Sequence, residues 1–254
     1  MSDSFSNVYA DRQRADAYAQ LEFPGTYFLA FRDLPTLIRK HVTGRIALDF
    51  GCGAGRSTRF LRDLGFDVLG IDIAAEMLEC ARGQDPRGRY ELVRNGDLSR
   101  LPKGSFDLIF AAFTFDNIPT AERKQDLLRV LGTLLMPTGC FVNLVSDPAI
   151  YVHEWTSFST RDFPANRLAQ SGDRVRIVML DVPDKRPVED VVCSDADYRR
   201  MYARAGLVVH EMHQPLGRSD EGMAWVSETT VAPWSIYVLG SSAPLSGSGR
   251  LTKR

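Results

Sequence analysis

The sequence has few of the residues that mark metal-bound, disulfide-bonded or membrane-spanning proteins. Its 254 residues include four cysteines, Cys52, Cys80, Cys140 and Cys193, and no two of them have CxxC spacing. This scatter indicates neither a zinc site nor a redox dithiol, and it is typical of a reducing cytosol. No apolar run approaches the ~20 residues that span a bilayer, and the polar first residues have no signal-peptide pattern. We therefore expect a cytoplasmic protein that contacts no membrane and needs no metal.

The sequence also lacks an excess of charge of either sign. With 31 basic and 32 acidic residues, its net charge is −1. The densest basic clusters, Arg12 with Arg14 and the group 199–204, lie in helical patterns and are interpreted as solvated faces. Because nucleic-acid binding normally requires a basic surface, we expect no nucleic-acid partner.

Short apolar runs alternate with amphipathic segments along most of the chain. The predicted strands are 45–50, 66–72, 90–95, 105–113 and 139–146, then 207–212 and 234–240. The predicted helices between them are 56–65, 74–83, 121–135 and 195–206. Strands that alternate with helices indicate an α/β fold with a mostly parallel sheet and helices on both faces.

Three segments fall outside this alternation. Residues 1–43 are helical and rich in aromatic residues, with a break at Pro24-Gly25 and a kink or a new helix start at Pro35. The aromatic segment 147–194 contains a predicted antiparallel pair. We predict an N-terminal helical lid at 1–43, a core at 44–146 and 195–240, a cap insertion at 147–194 and a disordered tail at 241–254.

A glycine loop joins the first predicted strand to its helix. The loop reads Gly51-Cys52-Gly53-Ala54-Gly55, and Asp72 ends the next strand. A strand, a glycine loop and a helix form an adenosine-binding geometry, in which the acid accepts the ribose hydroxyls. Dinucleotides and S-adenosylmethionine both fit so far. A dinucleotide-binding loop has the spacing G-x-G-x-x-G, and here the third glycine comes one residue early. The acid Asp49 also favours S-adenosylmethionine, because the sulfonium and ammonium groups of this ligand are cationic.

The segment Asp49 to Gly55 resembles the D-x-G-x-G-x-G motif of class I S-adenosylmethionine-dependent methyltransferases of the small-molecule type. Segments 71–78, 95–98, 106–119 and 127–145 are similar to later motifs of that family, in the same order. The resemblance implies a Rossmann-like, doubly wound sheet of seven strands, whose last strand is antiparallel. It also implies S-adenosylmethionine as cofactor, with S-adenosylhomocysteine as product.

The resemblance also assigns cofactor-binding residues. Asp72 holds the ribose, Asp97 the adenine amino group, and the end of the fourth strand lines the methionine. A tyrosine of the N-terminal segment, Tyr27, is expected either to reach the methionine carboxylate or to pack as an aromatic residue between helix and sheet. The full expected set is Asp49, Gly51, Cys52, Gly53, Gly55, Asp72, Ile73, Met77, Asp97, Leu98, Ala112, Phe113 and Tyr27.

The sequence departs from the family after the fourth strand. Base-methylating members have [N/D]-P-P-[Y/F] here, and many small-molecule members have His-His, whereas this chain has Asp116-Asn117. We assign these two residues to substrate contact, together with Tyr151, Trp155 and Trp225. His153 is the candidate base and Glu154 its orienting partner; the alternative for His153 is packing beside Trp155.

Three functions remain open from the sequence. The first is methyl transfer to N, O or C of a small molecule, by a monomer or a homodimer. The second is S-adenosylmethionine binding without methyl transfer, in a regulatory or non-methylating protein. The third, a nicotinamide-dependent oxidoreductase, is disfavoured by the position of the third glycine and by Asp49.

Overall fold

The computed structural model describes residues 11–242 and contains two sheets. The helices are α1 Arg12–Ala19, α2 Thr26–Arg32, α3 Leu34–His41, α4 Arg56–Asp63, α5 Ala75–Gln84, α6 Ala121–Leu134 and α7 Asp195–Arg204. The strands are β1 Ile46–Phe50, β2 Asp67–Asp72, β3 Arg89–Leu92, β4 Phe106–Ala112, β5 Leu135–Ser146, β6 Phe158–Ser159, β7 Arg174–Met179, β8 Val188–Val191, β9 Leu207–His213 and β10 Trp234–Ser241. Predicted residues 1–10 of the lid and 243–254 of the tail lie outside the described part of the chain.

The larger sheet has seven strands in the order β3-β2-β1-β4-β5-β10-β9. Strands β1 to β5 are parallel, and β10 runs antiparallel to both β5 and β9. This arrangement confirms the predicted doubly wound sheet with an antiparallel last strand. Its order reverses between β1 and β4, which opens a crevice at the carboxyl ends of these strands.

Two apolar layers cover the sheet. One face of the sheet packs against residues of α2 and α3, among them Leu34 and Ile38, and against the second sheet. The other face packs against α6 and α7 through Leu128, Leu131 and Tyr202. Because both faces are covered, the central strands are apolar on both sides, which explains the continuous apolar run of β4.

Polar side chains cap the starts of three helices, and at α1 the Asp11 carboxylate accepts a hydrogen bond from the backbone N–H of Arg14. Thr120 accepts a hydrogen bond from the backbone N–H of Arg123 at the start of α6, and Ser194 accepts one from Asp197 at the start of α7. Pro35 is the second residue of α3, so it marks a new helix rather than a kink.

The segment after β5 forms the second sheet, in the order β6-β7-β8. Strands β7 and β8 are antiparallel, as predicted, while the two-residue strand β6 was not predicted. The buried Glu228 joins three segments here, because its carboxylate accepts hydrogen bonds from Thr26 Oγ1 and from the N–H groups of Thr156 and Val226. Among residues 11–242, no helix is long and apolar enough to cross a membrane.

Candidate active site

The loops that follow β1 and β4 form the two walls of the crevice. The glycine loop leads from β1 into α4, and residues 113–117 follow β4. The two loops touch directly, because the Thr114 hydroxyl donates to the carbonyl of Phe50 at 3.0 Å. The crevice therefore has a fixed width at its base.

The glycine loop adopts a conformation that other residues tolerate poorly. Gly51 has a φ of 73°, and a Cβ there would lie 2.3 Å from Thr114 Oγ1. Gly55, with a φ of 81°, precedes α4 in the left-handed conformation. Positive φ values and close neighbours both require glycine, so the loop brings its backbone close to any ligand in the crevice.

Asp49 lies buried beneath the loop. Its Oδ2 accepts hydrogen bonds from Ser57 Oγ at 2.7 Å and Thr58 Oγ1 at 2.6 Å. Its Oδ1 is buried and has no hydrogen-bond partner among residues 11–242. Burial raises the pKa of Asp49 to about 6, against the opposing effect of the two hydroxyl donors. A buried acid with an unsatisfied oxygen favours a cationic ligand nearby.

Asp72 connects the glycine loop to the start of α5. Its Oδ2 accepts from the backbone N–H of Gly53 at 2.8 Å, and its Oδ1 accepts from Ala74 at 2.9 Å. Each oxygen retains a lone pair, so the carboxylate can accept further hydroxyl donors. Burial raises the pKa of Asp72, and the backbone N–H donors oppose that shift.

The remaining residues of the expected nucleoside site lie at the same edge of the sheet. The Ile73 side chain is 46% exposed beside Asp72, which leaves an apolar surface in solvent. Asp97 is exposed after β3, and hydrogen bonding to Ser99 lowers its pKa. Leu98 and Met77 are buried beneath them, with Met77 against the loop.

A first cavity lies directly over the glycine loop; we call it the loop cavity. Its walls include five of the predicted cofactor residues, which are Gly51, Cys52, Gly53, Ala112 and Phe113. Cys52 is buried, and desolvation raises the pKa of its thiol well above the usual value, so it is a neutral space-filling residue there. Tyr18 and Arg56 also belong to the lining.

Arg56 is a member of this lining that the sequence did not single out. It is the first residue of α4, and its guanidinium lies 4.8 Å from the ring centroid of Tyr27. Its Nη2 also donates to the Tyr18 hydroxyl at 3.4 Å. The signal in the sequence was its position, directly after the last glycine of the loop.

A second cavity, which we call the aromatic cavity, adjoins the loop cavity. Its apolar walls come from Tyr18, Tyr27, Phe113, Ile150, Phe158, Ile177, Met179, Val188 and Trp234. The Tyr27 ring stacks with Trp234 at 5.9 Å and meets Phe158 at 5.0 Å. Such a wall accepts an apolar group and excludes water.

One end of the aromatic cavity is polar. Asp116, Asn117, Ser146, Tyr151 and Asp190 line it. Asp190 accepts from Asn117 Nδ2 at 2.8 Å and from the Tyr151 hydroxyl at 3.1 Å, while Asp116 accepts from the Ser146 N–H at 3.0 Å. The structure thus brings three predicted substrate residues, Asp116, Asn117 and Tyr151, to one place.

Three buried charged groups at this end of the aromatic cavity have shifted pKa values. Burial raises the pKa of Asp190 to about 7, and the nearby charge of Asp116 adds to the shift. Burial likewise raises the pKa of Asp116, although Lys124 opposes this. Lys124 itself is 2% exposed, and its Nζ has no hydrogen-bond partner within the described chain. Desolvation lowers the pKa of Lys124, so the three groups share an environment poor in water.

Phe113 lies between the two cavities and lines both. Its φ is 62°, a left-handed conformation that costs a non-glycine residue ~1–3 kcal/mol. Its N–H donates to the carbonyl of Leu144 at 2.8 Å, which holds the backbone in place. Strain of this kind is concentrated at functional sites.

Four residues predicted for catalysis or substrate contact lie apart from the two cavity linings. His153 is exposed, and the Glu154 carboxylate accepts from Ser159 Oγ and the Thr160 N–H at 2.8 Å. Trp155 is buried and donates to the carbonyl of Ile150, whereas Trp225 donates to that of Arg218. Catalytic roles for His153 and Glu154, and substrate contact by the two tryptophans, stay predictions.

Asp190 is the most informative residue that the sequence analysis missed. It alternates with the exposed Glu189 on β8, so it shares the buried face of that strand with Val188. An acid at an inward position of a strand was the available signal. Within residues 11–242, no group of three or more His, Cys, Asp or Glu side chains is arranged to hold a metal ion.

Comparison with known proteins agrees with this geometry. Residues 48–143 match the family model described as a methyltransferase domain. The chain is 33% identical over 104 residues to a malonyl-[acyl-carrier protein] O-methyltransferase of Enterobacter lignolyticus, covering 39% of each chain. It is 42% identical over 101 residues to a demethylmenaquinone methyltransferase of Tropheryma whipplei, covering 39% of this chain and 41% of the relative. The match thus spans about two fifths of these curated relatives.

Solved structures share the fold over more of the chain. The CcbJ methyltransferase of Streptomyces caelestis superposes with a TM-score of 0.64 at 21% identity, covering 92% of this chain and 98% of the other. An S-adenosylmethionine-dependent methyltransferase of Clostridium acetobutylicum gives a TM-score of 0.60 at 12% identity, covering 89% and 94%. At these identities the likeness concerns the fold.

Proposed function

We propose that this chain is a class I S-adenosylmethionine-dependent methyltransferase that transfers the methyl group of S-adenosylmethionine to a small molecule. The match of residues 48–143 to the model of a methyltransferase domain supports this proposal. The proposal covers methyl transfer to a nitrogen, oxygen or carbon atom of that molecule. The observation that carries the proposal is the meeting of two cavities at Phe113, one over the glycine loop and one with aromatic walls and a polar end.

The residues present fit the cofactor. The unsatisfied Oδ1 of Asp49 lies beneath the loop where a cationic ligand is expected. Asp72 retains lone pairs for ribose hydroxyls, and the exposed Ile73 offers an apolar surface for a base. Asp97, after the neighbouring strand, is exposed and ionised for the adenine amino group. We assign the methionine carboxylate to Arg56, since this guanidinium lines the loop cavity.

When bound, the cofactor supplies a methyl carbon activated by positive sulfur, so the protein's task is alignment and exclusion of water. Tyr27, Phe113 and Trp234 perform both tasks, because their rings pack together between the cavities. Electron-rich ring faces also stabilise a neighbouring cation. The acceptor's apolar part then lies against this wall, with its reacting atom toward Phe113.

The polar end of the aromatic cavity provides the proton acceptor. Asp190 has the higher pKa of the two acids there, and it is held between Asn117 and Tyr151. A base with a pKa near the working pH accepts a proton most effectively. In addition to burial, the negative charge of Asp116 raises the pKa of Asp190, and the positive charge of Lys124 lowers it. His153 and Glu154 remain the alternative pair.

The decisive experiment is the formation of S-adenosylhomocysteine in the presence of candidate acceptors, measured by mass spectrometry. Product that depends on the acceptor, and on an intact Asp190, supports methyl transfer. Tight cofactor binding with no turnover of any acceptor would favour the second reading, a cofactor-binding protein without methyl transfer.

A further inference from the structure

We propose that the methyl acceptor is an amine with an apolar body, bound as its ammonium ion by Asp116 and Asp190. This inference rests on the proposed function and names the class of substrate for that same site. Both acids line the aromatic cavity, and both are more than nine-tenths buried. The apolar walls match a hydrocarbon body in polarity, and the acids match a cationic head in charge.

When both acids are ionised, the charges around them leave one negative charge to be balanced. Two carboxylates, Asp116 and Asp190, interact with one buried ammonium group, that of Lys124. Lys124 is 2% exposed, makes no hydrogen bond within the described chain and does not line the cavity. It therefore lies behind the acids and leaves their cavity side open to a second cation. Buried charges are stable when they are paired, which favours an ammonium ligand.

The same charges disfavour a hydroxyl acceptor. Moving a proton from an alcohol or phenol to Asp190 creates an anion, which the neighbouring carboxylate of Asp116 would repel. Removing a proton from an ammonium ion leaves a neutral amine and a neutral acid, so charge in the buried site decreases. A divalent metal ion is disfavoured as well, because its two positive charges exceed the one negative charge that Lys124 leaves unbalanced on the two acids.

The reaction balances with these groups alone. One proton moves from the ammonium nitrogen to a carboxylate oxygen of Asp190. The freed lone pair then forms the N–C bond to the methyl carbon while the C–S bond breaks, and the electron pair of that bond stays on sulfur. The product is a methylated ammonium ion, so positive charge appears on nitrogen, where Asp116 stabilises it.

The test compares amines with alcohols of the same shape. Calorimetry on the protein saturated with S-adenosylhomocysteine measures binding of benzylamine, phenethylamine and cyclohexylmethylamine, each against its alcohol counterpart. We expect each amine to bind at least about tenfold more tightly than its alcohol, a difference near 1.4 kcal/mol. Asp190→Asn and Asp116→Asn, which keep the shape of the side chain, should each reduce that preference to threefold or less, within about 0.7 kcal/mol.

The matched control is Glu189→Gln, one residue away on the same strand. Its carboxylate points to the other face of β8 and pairs with Arg174. This variant should keep the full amine preference. Equal binding of amines and alcohols, no binding of either, or an amine preference that survives both aspartate variants would each overturn the proposal. Failure of S-adenosylhomocysteine itself to bind would instead contradict the proposed function, so the two failures are distinguishable.

Discussion

Replacing Asp72 by alanine tests the best-defined contact of the cofactor site. The carboxylate is the one group at the end of β2 that faces both the glycine loop and the start of α5, with hydrogen bonds of 2.8 and 2.9 Å to Gly53 and Ala74. Hydrogen bonds to a charged acceptor contribute about 1.5–3 kcal/mol each. In the variant, water replaces part of the hydrogen bonding to the ribose. We therefore expect the binding free energy of S-adenosylmethionine to weaken by at least ~1.4 kcal/mol, which raises its Kd about tenfold.

The assay is isothermal calorimetry, with thermal unfolding to establish that the variant is folded. Asp67→Ala is the matched control, because Asp67 begins the same strand at the opposite edge, is 66% exposed and pairs with Arg89. Its Kd should stay within about twofold of the parent, since exposed ion pairs contribute little. Equal Kd values for Asp72→Ala and Asp67→Ala would refute the assigned ribose contact.

Three further predictions concern other parts of the site. Gly51→Ala should lower stability by about 1–3 kcal/mol, because alanine disfavours the φ of 73° and its Cβ would meet Thr114; an unchanged denaturation midpoint would contradict the loop geometry. In the ligand-free protein, the pKa of Asp190 is raised to about 7, so the folded state favours its neutral carboxyl group. The stabilisation that results is present at acid pH and is lost as the pH rises through about 7. Asp190→Asn should therefore raise Tm by a few degrees, roughly 2–4 °C, at about pH 8, and the gain should shrink toward about pH 5; a gain that grows on acidification would reverse the assigned sign. If His153 is the base, His153→Ala lowers turnover more than cofactor affinity, and full turnover would leave it as a surface residue.

Local patterns explain why the cofactor half of the site could be predicted. The acid near the end of β1, the three glycines and the acid at the end of the next strand lie within 24 residues, from Asp49 to Asp72. Each feature follows from a short-range requirement, such as the positive φ of Gly51 or the position of Asp72 at the carboxyl end of β2. The alternation of strands and helices likewise predicts a mostly parallel sheet, because parallel strands need crossover connections, which are usually helices.

The acceptor half depends on contacts between distant parts of the chain. Asn117 and Asp190 are 73 residues apart, and nothing in the sequence pairs them until β8 packs against the loop after β4. The two-residue strand β6 is too short to show a period. From the sequence we assign Trp155 to substrate contact, whereas in the folded chain its indole N–H is buried and donates to the carbonyl of Ile150.

The most direct test of the central claim is calorimetric binding of S-adenosylmethionine, S-adenosylhomocysteine and NAD to the unmodified protein. The account predicts a Kd on the order of micromolar for the two adenosyl ligands, about −8 kcal/mol, and no measurable binding of NAD. Binding of NAD in preference to both adenosyl ligands, or binding of none of the three, would contradict it.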